Sequence, residues 1–88
     1  MYFVYLLECR DNSYYCGYTN DLAKRVETHN KGNGAKYTKR RRPVKLIYSE
    51  QFEDKSSALK RELKIKTLSR KMKEDLVFLT KTRVNKPS

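Results

Sequence analysis

The chain has 88 residues, of which 38% are hydrophobic and 35% charged, and its formal net charge is +11 with a pI of about 9.8. This length allows one small domain, and the excess of positive charge favours a polyanionic partner, most simply nucleic acid. No apolar run approaches the ~20 residues of a membrane-spanning helix, and the first residues lack the features of a secretory signal peptide. The composition therefore excludes an integral membrane protein and favours a basic cytoplasmic domain, with a ribosome-associated protein as the plain alternative.

The two cysteines, Cys9 and Cys16, are isolated in the sequence, and His29 is the only histidine. A structural zinc site draws on about four such ligands at characteristic spacings, so zinc is not expected. We interpret both thiols as small hydrophobic strand residues of a protein in the reducing cytosol, and a disulfide between them is the less favoured alternative.

The first elements in chain order are a β-hairpin and a short helix. A run rich in aromatic and aliphatic residues predicts a strand over 2–9, "RDNS" is typical of a turn, and a second strand follows over 14–18. Because the first strand is apolar on both faces, it is predicted to be a central strand that is covered on both sides. Cap residues at 19–21 and Gly32 as a stop then enclose the helix.

The second half of the chain contains a basic loop, a strand and two helices. The glycine-bearing segment "GNGAKYTKRRR" predicts a loop, and "VKLIYSEQF" after the proline predicts a third strand over 44–52. Aspartate and serine caps precede a helix within 53–68 and a last helix over 70–79. The order ββαβαα predicts an α+β fold, a small three-stranded antiparallel sheet flanked by helices, as a single domain over 1–79. The basic segment 80–88 is expected to be a disordered tail.

Tyr5 and Tyr15 lie in the two hairpin strands, and the register of the hairpin decides whether their rings share a face. Pairing of Arg10 with Tyr14 around a three-residue loop puts both rings on one face with Gly17 beside them, whereas a two-residue loop separates them. Since glycine has no side chain, Gly17 is expected to leave open space next to the rings. The alternative is that these tyrosines only fill a half-buried strand surface.

Arg25 and His29 are four residues apart and therefore lie on one side of the first helix. A guanidinium group is a bidentate partner for phosphate, and a neighbouring imidazole can form hydrogen bonds or transfer a proton. The alternative for both residues is an ordinary solvated position on the helix surface.

The helix predicted within 53–68 contains a carboxylate in an unusual position. Its apolar stripe consists of Ala58, Leu59, Leu63 and Ile65. Because the stripe runs around Glu62, this side chain is expected to point inward, where a lone carboxylate costs several kcal/mol unless a cation such as Mg²⁺ or an arginine meets it. The alternative is a rim position at which Glu62 pairs with Lys66 at i+4.

Taken together, these residues resemble the GIY-YIG nuclease family. The matching features are "FVY" in the first strand, "YCG" in the second, Arg25 eight residues after Gly17, His29 four residues later and an inward Glu62. The first motif reads FVY in place of GIY and the second lacks its isoleucine, but both keep their tyrosine. The segments "GAKYTKRRRPVKLIY" and "SSALKRELKIKTLSR" are similar to the small, stand-alone bacterial branch of the family, the UPF0213-like proteins. The resemblance covers nearly the whole chain.

The resemblance implies hydrolysis of a phosphodiester bond in one metal-dependent step. Carried over by position, it makes Tyr5 and Tyr15 the paired motif tyrosines, Gly17 the motif glycine, Arg25 the phosphate-stabilising cation, His29 the catalytic helix residue and Glu62 the ligand of one Mg²⁺ or Mn²⁺ ion. A tyrosinate would accept or relay the proton of the attacking water, and whether Tyr5, Tyr15 or His29 is the base stays open. The nearby guanidinium and a metal-bound water are expected to lower the tyrosine pKa from its ordinary value of ~10.

The basic loop is a candidate for binding nucleic acid without sequence preference. The predicted contact residues are Lys39, Arg40, Arg41 and Arg42, with Tyr37 as a flanking aromatic residue. A solvated loop is the equal alternative. Three classes of function stay open: a structure-dependent or nonspecific nuclease with DNA as the first substrate, a nucleic-acid-binding module with little or no turnover, and a basic protein-interaction domain in repair or on the ribosome. The complete set of motif residues favours the nuclease.

Overall fold

The computed structural model describes residues 1–85 and contains three strands and four helices in the order ββααβαα. The strands are β1 (Tyr2–Glu8), β2 (Tyr14–Thr19) and β3 (Lys45–Phe52). The helices are α1 (Leu22–Asn30), α2 (Lys36–Lys39), α3 (Lys55–Lys66) and α4 (Arg70–Asn85). The predicted α+β class, with a three-stranded antiparallel sheet and flanking helices, is confirmed.

β1 is the central strand of the sheet, whose order is β2-β1-β3, and both of its neighbours run antiparallel to it. Its alternate side chains point to opposite faces. Val4 and Leu6 face α3 and α4, where they form one core with Ala58, Ile65 and Val77. The prediction that both sides of β1 are covered is therefore correct for this face.

The other face of β1 is covered by the chain around α1 and α2. Its core consists of Tyr5, Leu7, Cys9 and Val44, with Tyr15, Leu22 and Val26 packed against them. Cys16 belongs to the core on the opposite face, and both cysteines are free and buried. The two thiols thus act as small hydrophobic residues, and the disulfide alternative is wrong.

The hairpin register differs from the predicted one by two residues. Glu8, not Arg10, pairs with Tyr14, and the connecting loop spans 9–13. Asn12 adopts the left-handed conformation (φ 68°), which asparagine tolerates and which helps the longer loop to reverse the chain. Because a shift of two residues keeps every side chain on its own face, the two motif tyrosines still share a face, as expected.

Three helices begin where the sequence predicts a cap. The carboxylates of Asp21 and Asp54 accept hydrogen bonds from backbone N–H groups in the first turns of α1 and α3, at 3.1 and 2.9 Å. The hydroxyl oxygen of Ser69 does the same for α4 at 3.2 Å. These bonds satisfy helix N–H groups that have no partner within the helix.

Two local features of the predicted elements are wrong. The single turn of α2 lies inside the segment that was predicted as a loop. Leu63, assigned to the apolar stripe of α3, is 63% exposed, because Ala58, Glu62 and Ile65 form the buried side of that helix. The stripe is therefore narrower than the sequence pattern indicates.

The last helix extends beyond its predicted end. Its backbone is helical to Asn85, whereas the sequence predicts an end at residue 79. The predicted tail 80–88 thus overlaps α4, and its final part, 86–88, lies outside the described residues, so the domain boundary stays a prediction. None of the described helices is long and apolar enough to cross a membrane.

Candidate active site

The ring of Tyr5 lies directly over Gly17 of the neighbouring strand. A Cβ atom at Gly17 would approach the Tyr5 hydroxyl to 2.5 Å and the Tyr15 ring to 3.2 Å, so only glycine fits here. The expected open space beside Gly17 is therefore wrong, because the Tyr5 ring fills it and is only 1% exposed. The centroids of the two tyrosine rings are 6.4 Å apart.

His29 is buried against these rings, with 1% exposure, so a solvated surface position is wrong for this residue. Its Nε2 is 2.9 Å from the Tyr5 hydroxyl oxygen, and its Nδ1 is 2.8 Å from Thr38 Oγ1. The Tyr15 ring centroid is 5.2 Å from that of the imidazole. The backbone of Gly34 packs so closely on the imidazole that a Cβ atom there would overlap it. Every side of this ring is thus held in place.

Burial shifts the pKa values of Tyr5 and His29, the two partners of the Tyr5–His29 hydrogen bond, in opposite directions. It raises the pKa of Tyr5 well above the ordinary tyrosine value, and the Arg25 guanidinium only partly offsets the rise. The guanidinium thus lowers the Tyr5 pKa as expected, but burial outweighs its effect. Burial, with Arg25 as the second cause, lowers the pKa of His29. At neutral pH a protonated hydroxyl thus faces a neutral imidazole.

Arg25 lies one helical turn before His29 and is half-buried. Its Nε is buried and has no hydrogen-bond partner among the described residues. The side chain lines a pocket of about 270 Å³ whose other walls are Thr19, Asn20, Asp21, Lys24 and Thr28. A guanidinium with an unpartnered N–H group is a suitable partner for an oxyanion such as phosphate.

Glu62 is 8% exposed, which confirms its expected inward orientation. It belongs to α3, however, and so approaches from the other face of the sheet, beside Cys16. Burial is the main cause of the raised pKa of Cys16, about 11, and the Glu62 charge adds to it. The Tyr5 pKa is likewise raised mainly by burial, and Glu62 is a minor cause. Its ion-pair partner is Lys66 at 3.5 Å, whereas the neighbouring Arg61 binds Glu50.

A divalent ion fits this carboxylate only as a site with one protein ligand. In the part of the chain that the structure describes, no three His, Cys, Asp or Glu side chains gather into a metal-binding group. Among the side chains of residues 1–79, the ion-pair partner of Glu62 is a lysine whose side chain is 48% exposed, so the nearly buried carboxylate is incompletely neutralised. Mg²⁺ is often held by one or two carboxylates, with water and substrate phosphate as its other ligands. Glu62 has the chemistry for such a site.

The side chains of the basic loop that contains residues 39–42 point to two different surroundings. One part lines a groove of about 840 Å³, whose walls are Arg10, Lys36, Lys39, Arg40 and Arg42. None of these five cations forms an ion pair with a carboxylate of residues 1–79. Arg42 is instead held by the backbone carbonyls of Lys39 and Asn30, at 2.7 and 3.3 Å, so its position is fixed while its charge stays unneutralised.

Arg41 turns away from this groove. Its Nε donates to Asp11 at 3.1 Å, and its guanidinium carbon lies 3.9 Å from the ring centroid of Tyr37. Tyr37 in turn stacks on Tyr15, with ring centroids 6.1 Å apart and an interplanar angle of 27°. A continuous column therefore runs from the surface through Tyr37 and Tyr15 to the buried imidazole of His29.

Four residues at the site were not singled out from the sequence. Thr38 and Gly34 contact the imidazole, and Arg10 and Lys36 complete the groove. The available signal was the segment "GAKYT", which carries part of the family resemblance but has no helical or strand periodicity. Nothing in the sequence indicates that Arg10, in the hairpin loop, lies beside the basic loop that contains residues 39–42.

Residues 1–75 match the family described as the GIY-YIG catalytic domain. The chain is 59% identical over 73 residues to the UPF0213 protein YazA of Bacillus subtilis, covering 83% of this chain and 74% of that protein. It is 54% identical over 76 residues to a UPF0213 protein of Staphylococcus saprophyticus, covering 86% and 93%. The solution NMR structure of a UPF0213 protein from Bacillus halodurans covers 90% of this chain and 85% of that one, at 46% identity and a TM-score of 0.58. A solution NMR structure from E. faecalis covers 99% and 91%, at 42% identity and a TM-score of 0.61.

Proposed function

Since this chain belongs to the GIY-YIG family, we propose that it is a metal-dependent nuclease that hydrolyses phosphodiester bonds in nucleic acid, with DNA as the first substrate. Membership of the family implies a nuclease-type activity. The single observation that carries the proposal is the buried hydrogen bond between the Tyr5 hydroxyl and His29 Nε2, 2.9 Å long and one helical turn from Arg25.

Tyr5 and His29 form the proton-accepting unit of this nuclease. The oxygen of a water molecule attacks phosphorus while the bond to the leaving oxygen breaks. As the water proton passes to the Tyr5 oxygen, the Tyr5 proton passes to His29 Nε2. The raised pKa of Tyr5 supports such a relay, because a free tyrosinate would be rare at neutral pH, and the lowered pKa of His29 keeps its imidazole neutral. Tyr15 packs against both rings and keeps them oriented.

Two residues would offset the negative charge of the phosphate: Arg25 by direct contact, and Glu62 through the ion that it holds. The buried, unpartnered Nε of Arg25 supports a contact with a phosphate oxygen, whose charge grows in the transition state. Glu62 would hold one Mg²⁺ or Mn²⁺ ion, which supplies Lewis-acid stabilisation of the phosphate when it is bound.

The groove lined by Arg10, Lys36, Lys39, Arg40 and Arg42 binds the phosphate backbone of the substrate without reading its sequence. The same groove favours a second candidate function, a nucleic-acid-binding module without turnover, because its five cations can neutralise phosphates without any catalytic step. The two candidates differ in whether a bond is broken.

The experiment that tests the proposal incubates the protein with branched, nicked, single-stranded and double-stranded DNA and with RNA, in Mg²⁺, in Mn²⁺ or in chelator. We expect cleavage with metal and none in chelator. Glu62→Gln keeps the size of the side chain but removes its charge, so cleavage should fall at least about 100-fold, the range for losing one preorganised electrostatic group. Binding should be unchanged or tighter.

Glu53→Gln is the matched control, because it removes the same charge from an exposed residue near the start of α3. It should cleave like the wild type. Binding without cleavage on every substrate would support the second candidate instead. Full activity of Glu62→Gln would remove Glu62 from the mechanism.

A further inference from the structure

Thr38 is the second hydrogen-bond partner of His29. It is fully buried on α2, and its Oγ1 lies 2.8 Å from His29 Nδ1 and 3.2 Å from the carbonyl oxygen of Ala35. On the other side of the imidazole, Nε2 is 2.9 Å from the Tyr5 hydroxyl. Three consecutive contacts thus lead from the Tyr5 hydroxyl through the imidazole to a backbone carbonyl.

Only one arrangement of hydrogens turns all three contacts into hydrogen bonds. The Ala35 carbonyl can only accept, so the Thr38 hydroxyl donates to it and must itself accept from His29. The hydrogen of the neutral imidazole is therefore on Nδ1, and the lone pair of Nε2 accepts from Tyr5. The reverse arrangement leaves the oxygens of Thr38 and Ala35 facing each other without a hydrogen. It also leaves the buried Tyr5 hydroxyl hydrogen without an acceptor among the described residues.

The surroundings keep this arrangement in place. The Ala35 carbonyl also accepts the Lys39 N–H at 3.1 Å, the bond that closes the turn of α2, and its two lone pairs accommodate both donors. A flip of the imidazole would put ring carbons opposite Tyr5 and Thr38, so both hydrogen bonds would be lost. Gly34 lies against the ring and leaves no room for it to move aside.

We propose that Thr38 is a positioning residue that holds the hydrogen of His29 on Nδ1, so that Nε2 is free to take the proton of Tyr5. The catalytic consequence rests on the proposed nuclease function, but the tautomer is a property of the free protein. In the transfer the O–H bond of Tyr5 breaks and an Nε2–H bond forms. The imidazolium keeps its Nδ1 hydrogen bond to Thr38, which therefore orients the ring before and after the transfer.

The test combines ¹⁵N NMR of the imidazole with cleavage kinetics. His29 is the only histidine in the chain, so its two ring nitrogens give the only imidazole signals. In the wild type we expect a protonated Nδ1 and an unprotonated Nε2. Thr38→Val keeps the shape of the side chain without the hydroxyl, so the Nε2-protonated form should gain population. Cleavage should then slow about 10- to 100-fold, as when partners that orient metal-bound histidines are removed, and DNA binding should be unchanged.

Two further variants make the result specific. Thr38→Ser retains the hydroxyl and should keep the tautomer and most of the rate. Thr67→Val makes the same change at an exposed threonine whose hydroxyl donates to the Lys64 carbonyl, and it should change neither readout.

A wild-type spectrum with the hydrogen on Nε2 overturns the proposal, and so does a folded Thr38→Val variant with unchanged tautomer and rate. If Thr38→Val does not fold, the wild-type spectrum and Thr38→Ser decide in its place: loss of the Nδ1 tautomer in the serine variant counts against the proposal. A wild type that cleaves no substrate overturns the proposed function and the catalytic consequence together, whereas the spectrum still decides the tautomer.

Discussion

The Tyr5–His29 pair combines a hydroxyl that resists losing its proton with an imidazole that resists gaining one. Burial causes both shifts, since it disfavours the charged form of either group. In the free protein the proton therefore stays on Tyr5, and no charge develops inside the site. In the proposed mechanism, proton transfer would become favourable only when bound phosphate and its counter-charges stabilise the products. Such a site would be inert without substrate.

The lowered pKa of His29 makes the stability of the folded chain depend on pH. Its pKa is lowered in the folded chain, so the unfolded chain, with an ordinary value of ~6.5, binds more protons in the window just below that pH. Stability should thus be fully present above about pH 6.5 and should fall as the pH drops through the folded pKa, at up to about 1.4 kcal/mol per pH unit for one proton. The groups that face the imidazole are Tyr5, Tyr15, Arg25 and Thr38.

The measurement is urea unfolding between pH 5 and 7.5, together with an NMR titration of the single histidine. Hydrogen bonds from Ser13 and Ser57 lower the pKa of the exposed carboxylates Asp11 and Asp54, which therefore titrate below this window. A folded histidine pKa at or above the ordinary value, with flat stability, would contradict this expectation.

At the scale of elements, α2 joins the groove to the buried imidazole. Successive residues of its single turn have different surroundings: Lys36 and Lys39 line the groove, Tyr37 stacks on Tyr15, and Thr38 bonds His29. Phosphate held in the groove would therefore lie on the same short helix that orients the imidazole. This helix is the shortest in the part of the chain that the structure describes, yet it contacts both candidate sites.

The groove should determine how steeply nucleic-acid binding depends on salt. Each cation that neutralises a phosphate contributes about −0.9 to the slope of log K against log salt concentration for duplex DNA. The double variant Arg10→Ala, Lys36→Ala should thus make the slope shallower by about 2, measured by fluorescence anisotropy with a labelled duplex. The control is Lys60→Ala, Lys64→Ala, which removes the same charge from the exposed side of α3. Equal slopes for the two double variants would show that net charge, not the groove, governs binding.

The sequence predicted well those features that depend only on neighbouring residues in the chain. Helix starts follow the caps Asp21, Asp54 and Ser69, and the shared face of the two motif tyrosines survives the register error because it depends only on parity. The missed features depend on contacts between distant segments. Thr38 gains its role from an imidazole nine residues away, and Arg10 joins the groove because the hairpin loop returns beside Arg41, whose carbonyl accepts the Arg10 N–H at 2.9 Å.

At the scale of the whole molecule, the two faces of the sheet differ in the residues that they hold. The face toward α3 and α4 holds an apolar core. The other face holds the tyrosines and the histidine, close to a surface with five unpaired cations. Glu62 is the exception, because it lies on the core side yet acts electrostatically on Tyr5. A net charge of +11 on so small a domain would attract a polyanion to this surface.

The most direct test of the account is the cleavage rate of Tyr5→Phe on whichever nucleic acid the wild type cuts fastest. The variant keeps the ring that fills the space over Gly17 and removes only the hydroxyl. We expect cleavage to fall about 10²- to 10⁴-fold, the usual contribution of general acid–base catalysis, with binding and the circular dichroism spectrum unchanged. Tyr18→Phe, in the neighbouring strand β2 and on the opposite face of the sheet, should cleave like the wild type. A folded Tyr5→Phe variant that cleaves at the wild-type rate would contradict the account, because no proton could then pass through Tyr5 to His29.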